Sequence, residues 1–252
     1  MKPISFDGKT AVVTGVGSGM GLLASRELAR LGANVVMCDI NREAVEKAAA
    51  EITAEGPGAA WPLAVDVRVF ADAEKAAGLA REKTGRIDLV IPFAGGYEPR
   101  MCNSPVPFFE QPVEVLDWGI DVNLKGAIYF ARACMPAMVK GGRGGVICCL
   151  GSTSGFECDA KGAMYGTAKS GLFTFVKGLA LAGAPYGIRA FCVTPGPVMT
   201  RPGMAGMKTL LETQAEPQEL VDYILYLCSE NGRCVTGSNH VMDCGRLAMK
   251  PQ

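Results

Sequence analysis

The chain has 252 residues, with 25 basic and 25 acidic side chains and no net charge at pH 7, so its composition carries no electrostatic footprint for nucleic acid or an anionic membrane surface. No apolar run is long enough to cross a bilayer, and Met1-Lys2-Pro3-Ile4-Ser5-Phe6-Asp7 lacks the apolar core of a signal peptide. A cytoplasmic protein acting on a small, near-neutral organic molecule is therefore expected, with a core sized for one large α/β domain or two small ones. Ten cysteines are scattered with no Cys-x-x-Cys pair, which predicts reduced, mostly buried thiols and no metal centre.

Short apolar runs alternate with segments of helical period. Strands are expected near 10–14, 34–39, 60–65, 87–93, 145–151, 188–193 and 239–242. Helices are expected at 19–31, 41–55, 68–83, 112–139, 163–183 and 216–229. That alternation predicts an α/β fold on a seven-stranded parallel sheet with helices on both faces. No linker or repeat divides it, so residues 1–252 read as a single domain.

The first strand, Thr10–Thr14, runs into Gly15, Gly17, Gly19 and Gly21, and the next helix starts within that run. A tight turn, a close backbone approach to pyrophosphate and a helix end facing phosphates all call for residues without side-chain bulk. Asp39 ends the second strand 20 residues after Gly19, where a carboxylate binds adenosine ribose hydroxyls and repels a 2′-phosphate. With only Arg42 close by, NAD is expected over NADP. Asp66 follows the third strand, where it reads as a helix N-cap.

The fourth strand leads to Ala94-Gly95 and then to an irregular stretch up to Pro112. A second irregular stretch runs from Pro195 to Pro217. Loops beyond the carboxyl ends of parallel strands are candidate substrate walls. Ser152 follows the fifth strand, and Tyr165 and Lys169 come 13 and 17 residues later on a predicted helix. Four residues apart, they share a face. A phenol beside a cation ionises more readily, which suits Tyr165 to proton transfer.

Thr14-Gly-x-x-x-Gly-x-Gly21 and Tyr165-x-x-x-Lys169 together resemble the short-chain dehydrogenase/reductase family, from about Lys9 to Gly245. The resemblance implies a Rossmann-type doubly wound fold and hydride transfer between NAD(H) and a secondary alcohol or ketone. In the family's pattern Asn123 holds a relay water, Ser152 binds the reacting oxygen, Tyr165 is the acid/base and Lys169 also grips the nicotinamide ribose. It extends the cofactor contacts to Ser18, Met20, Ile40, Ala94 and Gly95, and implies an adenine contact at Asp66 and its neighbour Val67. Pro195, Gly196, Val198 and Thr200 are implied at the carboxamide. The chain departs from the pattern at Pro92-Phe93, where the family has Asn-Asn, and at Phe191 in place of Asn. Both changes are expected to alter packing and leave the chemistry intact, unless Phe93 enters the nicotinamide pocket.

Tyr97, Phe108, Phe109, Phe156, Met164, Met199, Met204 and Met207 line the expected pocket. Their apolar character points to a lipophilic or alicyclic substrate resembling a hydroxysteroid. A 3-oxoacyl carrier-protein reductase, a small polyol dehydrogenase and a non-catalytic dinucleotide sensor are the alternatives. The resemblance also implies a homo-oligomer, a tetramer or dimer, associating through the helices at 112–139 and 163–183. His240, Trp61 and Trp118 read as structural.

Overall fold

The inner strands are mostly apolar, and a parallel sheet covered by helices on both faces is the arrangement that buries such strands. The computed structural model describes residues 2–249. Its strands are β1 (Thr10–Thr14), β2 (Asn34–Asp39), β3 (Ala60–Ala64), β4 (Leu89–Pro92), β5 (Gly145–Leu150), β6 (Ile188–Pro195) and β7 (Asn239–Met242). They form one sheet in the order β3-β2-β1-β4-β5-β6-β7 with every pairing parallel. The eight helices named here are α1 (Gly19–Arg30), α2 (Arg42–Glu55), α3 (Phe70–Thr84), α4 (Glu98–Met101), α5 (Val113–Ile120), α6 (Gly126–Gly141), α7 (Ala163–Gly183) and α8 (Pro217–Cys228). The predicted single α/β domain with a doubly wound sheet is thus the observed one.

Side chains alternate along each strand and sort the core in two. Ala11, Val13, Val35, Met37, Phe191 and Val193 pack on one face with Leu28, Ile52 and Ile224 from α1, α2 and α8. Val12, Val36, Ile147, Cys149 and Ala190 pack on the other with Phe130 and Leu172 from α6 and α7. Each fully buried Leu, Ile or Phe contributes about 1.5–3 kcal/mol relative to exposure. The helix α3 buries Ala73, Ala76, Ala77 and Ala80, a spacing that keeps one small-residue stripe against its neighbours. Six of the ten cysteines are buried and all are unpaired. Burial pushes the Cys134 thiol up to about 12 and Cys192 up to about 11, which keeps both protonated and inert. No described helix is long and apolar enough to cross a membrane.

The helix expected at 112–139 differs from the prediction. It is interrupted between α5 and α6 by a π-helical turn over Asp121–Lys125. The wider turn shifts the angular register, so Asn123 is only 2% exposed and its side chain joins the backbone ladder, with Nδ2 donating to Gly119 O at 2.9 Å. Hydrophobic periodicity alone does not reveal such a turn, because the apolar residues on either side still repeat at helical spacing.

Phe191, where a polar residue was expected, is fully buried. It meets the His240 ring edge-on at 6.0 Å and the Arg189 guanidinium at 5.6 Å. The His240 ring bonds Ser238 Oγ at 2.8 Å. Burial lowers its pKa below the ordinary 6.5. In the interval between the folded and unfolded values the unfolded chain binds the proton, so stability falls as pH drops through about 6.5 and the loss is complete at the depressed value. Thermal melts at pH about 7.5 and about 5.5 are expected to differ less for His240→Asn than for the parent protein, and equal differences would assign the acid limb to another group.

Candidate active site

Chain order reverses between the neighbours β1 and β4, leaving a crevice beyond their carboxyl ends. Gly15 leaves β1 at φ +72°, and a Cβ there would lie 2.6 Å from Ala94 N. A Cβ on Gly21 would lie 2.2 Å from Gly15 O, so α1 rests directly on the turn. Gly19, at φ +59°, has no atom within 4 Å of where its Cβ would be. The helix α1 therefore begins in open space. Ser18 at its N-cap makes no side-chain bond, and no acid occupies the first turn, which leaves helix amides for an anionic group. Such a cradle fits a dinucleotide pyrophosphate. At its rim, Asp39 accepts from Gly17 N at 2.7 Å and Asn41 N at 2.9 Å, with Ile40 exposed beside it. Met20 is partly buried against the α1 side of the core.

Asp66 is not the helix N-cap that its position suggested. Val69, not Asp66, is the N-cap of α3. The Asp66 carboxylate instead receives Arg68 Nη2 at 2.6 Å and Arg68 N at 2.9 Å, and the Arg68 bond lowers its pKa. The side chain is committed to that ion pair. Val67 is buried, and the missing Cβ of Gly126 makes room for it at 3.0 Å.

On the β4 side, Thr14 replaces the bracing expected of the missing asparagines. Its Oγ1 accepts from Ala94 N and its carbonyl from Phe93 N, both at 3.1 Å. Phe93 packs into the core beneath α1, where its Cβ would be 3.3 Å from a Cβ on Gly21. After β6, Gly196 N donates to Met242 O at 2.9 Å, and Thr200 Oγ1 donates to Val198 O at 3.3 Å. The Pro195 and Val198 side chains are buried and Thr200 is exposed.

The face of α7 carrying Tyr165 and Lys169 turns toward this crevice. Lys169 is 5% exposed. Its Nζ donates to Leu150 O at 2.7 Å, two residues before Ser152, and lies 5.5 Å from the centre of the Tyr165 ring. A Cβ on Gly95 would be 3.6 Å from Lys169 Nζ and 2.6 Å from Asn123 Oδ1, so β4, the π turn and α7 meet at one glycine. Ser152 Oγ accepts from Ser154 N at 3.2 Å, leaving its own proton to donate. Asn123 Oδ1 accepts from Gly96 N at 2.8 Å while Nδ2 donates to Gly96 O and Gly119 O, both at 2.9 Å. Its side chain braces the backbone where β4 meets the π turn.

Of the expected wall residues, Phe109 is 81% exposed on the loop beyond β4, and Phe156 faces elsewhere. Phe156 stacks on Phe173 at 4.7 Å and lines a hollow of about 380 Å³ with Gly166, Ser170 and Thr174, positions on the side of α7 away from Tyr165. Tyr97 does reach the site, its ring edge-on to Tyr165 at 6.0 Å. Sequence reasoning missed Glu98, a fully buried acid that bonds the Tyr165 amide. The only hint was an acidic residue two positions after the Ala-Gly-Gly run, 66 residues from the amide it bonds in α7.

The family model described as "short chain dehydrogenase" matches residues 9–209. Among curated proteins, L-rhamnose 1-dehydrogenase (NAD(P)(+)) of Azotobacter vinelandii is 32% identical, the match covering 94% of this chain and 96% of that one. Among solved structures, a 7α-hydroxysteroid dehydrogenase complexed with NADH and 7-oxo glycochenodeoxycholic acid superposes with a TM-score of 0.85 at 25% identity, over 97% of this chain and 98% of that one. L-Sorbose reductase of Gluconobacter frateurii, complexed with NADPH and L-sorbose, gives a TM-score of 0.89 at 25% identity, over 98% and 99%. The chain belongs to the short chain dehydrogenase family, and it is an oxidoreductase of that family.

Proposed function

We propose that the protein transfers hydride between NAD(H) and a secondary alcohol or ketone on a lipophilic, alicyclic skeleton, with Tyr165 as the acid/base. The observation that carries this reading is the placement of Lys169: a buried ammonium held by the strand that ends before Ser152, beside the Tyr165 ring.

Gly15, Gly17, Gly19 and Gly21 would hold the pyrophosphate, Asp39 the adenosine ribose, and Lys169 with the Pro195–Thr200 segment the nicotinamide end. Bound there, the nicotinamide supplies the hydride chemistry. In reduction the Tyr165 hydroxyl gives its proton to the carbonyl oxygen, and in oxidation it takes the proton back. Lys169 places positive charge where the phenolate develops. Ser152 donates its free proton to the reacting oxygen and so fixes the substrate against Tyr165. Asp39 favours NAD, because both its oxygens are already turned to the loop and to Asn41 at the rim where a 2′-phosphate would sit.

A lipophilic substrate is supported by exposed apolar side chains on the two loops beyond β4 and β6: Met101, Phe108, Phe109, Leu210 and Leu211. A sugar or polyol substrate is the second reading, favoured by the 32% identity to an L-rhamnose dehydrogenase. A panel of 7α-hydroxysteroid, carveol, L-rhamnose and L-sorbose, followed at the reduced-nicotinamide absorbance with NAD(H) and NADP(H) side by side, separates the readings. Steroid or terpene alcohol turnover with NAD is the expected result. Efficient turnover of the sugars alone would replace the lipophilic reading, and no turnover of any alcohol or ketone would remove the enzymatic one.

A further inference from the structure

The segment leaving β4 crosses to the catalytic helix and ends against it. Asn123 clamps the Gly96 peptide on both sides. Tyr97 then lays its ring edge-on to Tyr165, and its hydroxyl donates to Asp159 Oδ1 at 2.8 Å. The same oxygen accepts from Lys161 N and Gly162 N, both at 2.9 Å, just ahead of α7. Glu98, with no exposed surface, reaches the first turn of α7. Its Oε1 accepts from Met164 N at 3.0 Å and Tyr165 N at 3.1 Å, and its Oε2 from Tyr165 N at 3.2 Å.

Two glycines make this fit possible. A Cβ on Gly119 would lie 2.6 Å from Met164 Cβ and 3.4 Å from Glu98 Cγ, and one on Gly162 would lie 2.1 Å from the Tyr97 ring. The N-cap of α7, Gly162, offers no side-chain acceptor, and its first turn has no acid. The acceptor for those amides comes from Glu98, 66 residues upstream. A buried carboxylate is costly unless bonded, and desolvation raises the Glu98 pKa while the Tyr165 and Met164 amides pull it down. What Glu98 adds is a direct tie between the backbone of Tyr165 and the loop carrying Ala94 and Gly95.

We propose that Glu98 is a positioning residue for the reaction: by bonding the Tyr165 amide it locks the phenol in register with the nicotinamide end of the crevice. The inference rests on the reading of Tyr165 as the acid/base.

Glu98→Ala leaves the Met164 and Tyr165 amides without their acceptor, whereas Glu98→Gln retains an oxygen at the same reach. With NAD and the panel alcohol turned over fastest, Glu98→Ala is expected to lower kcat by about ten- to a hundredfold, the scale of a misplaced reacting group. The Kd for NADH, read by fluorescence, is expected to stay within about twofold, because the glycine turn and Asp39 are untouched. Glu98→Gln is expected to restore kcat to within about threefold of the parent. Should Glu98→Ala fail to bind NADH, Glu98→Asp, one methylene short, takes its place under the same thresholds. Parental kcat in the truncated variant overturns the proposal, and so does a glutamine variant as slow as the truncated one. Tyr165→Phe, run in parallel, keeps the two readings apart. If it retains turnover, the acid/base reading fails. If it abolishes turnover while Glu98→Ala leaves kcat unchanged, only the positioning role falls.

Discussion

Tyr165→Phe is expected to lower kcat by about 10²–10⁴-fold, the range that a positioned acid/base contributes, while NADH binds with nearly unchanged affinity. The substitution removes one oxygen and leaves the ring, so the edge-on contact with Tyr97 and the Glu98 bonds to the Tyr165 amide stay in place. Lys169 keeps its bond to Leu150 O, since nothing in that bond involves the phenol. The loss therefore reports the missing proton and little else. It should appear equally in kcat and kcat/KM, the signature of an interaction made in the transition state alone. A variant that retains more than about a tenth of parental kcat would show that another group moves the proton. Equal loss of NADH binding would instead show that the phenol holds the cofactor.

Most of the fold was legible because each strand is a short apolar run bounded by turn residues, and the alternation of strand and helix admits few topologies. The glycine turn after β1 was legible for a related reason. Glycines at 15, 17, 19 and 21 are demanded locally, by φ and by contacts as close as 2.2 Å, so their spacing carries the geometry. The pair Tyr165 and Lys169 is likewise local, one helical turn apart. What escaped is long-range or depends on side-chain direction. Glu98 acts on a helix 66 positions away, and no spacing rule connects the two. Phe156 follows Ser152 closely in sequence yet stacks on Phe173 across the far side of α7. Asp66 follows β3 as expected, but the N-cap of α3 falls at Val69. The π turn that seats the Asn123 amide against Gly96 and Gly119 leaves no mark in the hydrophobic periodicity.

Asp39→Asn is expected to shift the preference between NADP and NAD toward NADP by about ten- to several hundredfold. The carboxylate is partly exposed at the rim of the crevice, so its repulsion of a 2′-phosphate lies between the water limit of about 1 kcal/mol and about 4 kcal/mol at an intermediate dielectric, for unit charges about 4 Å apart. Each 1.4 kcal/mol, roughly, is tenfold. Arg42, the basic residue nearest in sequence after Asp39, pairs with Glu46 at 3.4 Å. The amide keeps one oxygen for Gly17 N, so the loop stays in place. It turns a donor toward Asn41 N, where the carboxylate now accepts, at a stability cost of about 1 kcal/mol. Ribose hydroxyls lose a charged acceptor, so KM for NAD is expected to rise about tenfold while kcat holds. Steady-state kcat/KM for both cofactors, measured at one ionic strength because the repulsion is screened by salt, gives the ratio directly. If the ratio stays unchanged while NAD affinity drops, Asp39 binds ribose without excluding the phosphate. If neither cofactor responds, the adenosine end lies elsewhere on the crevice.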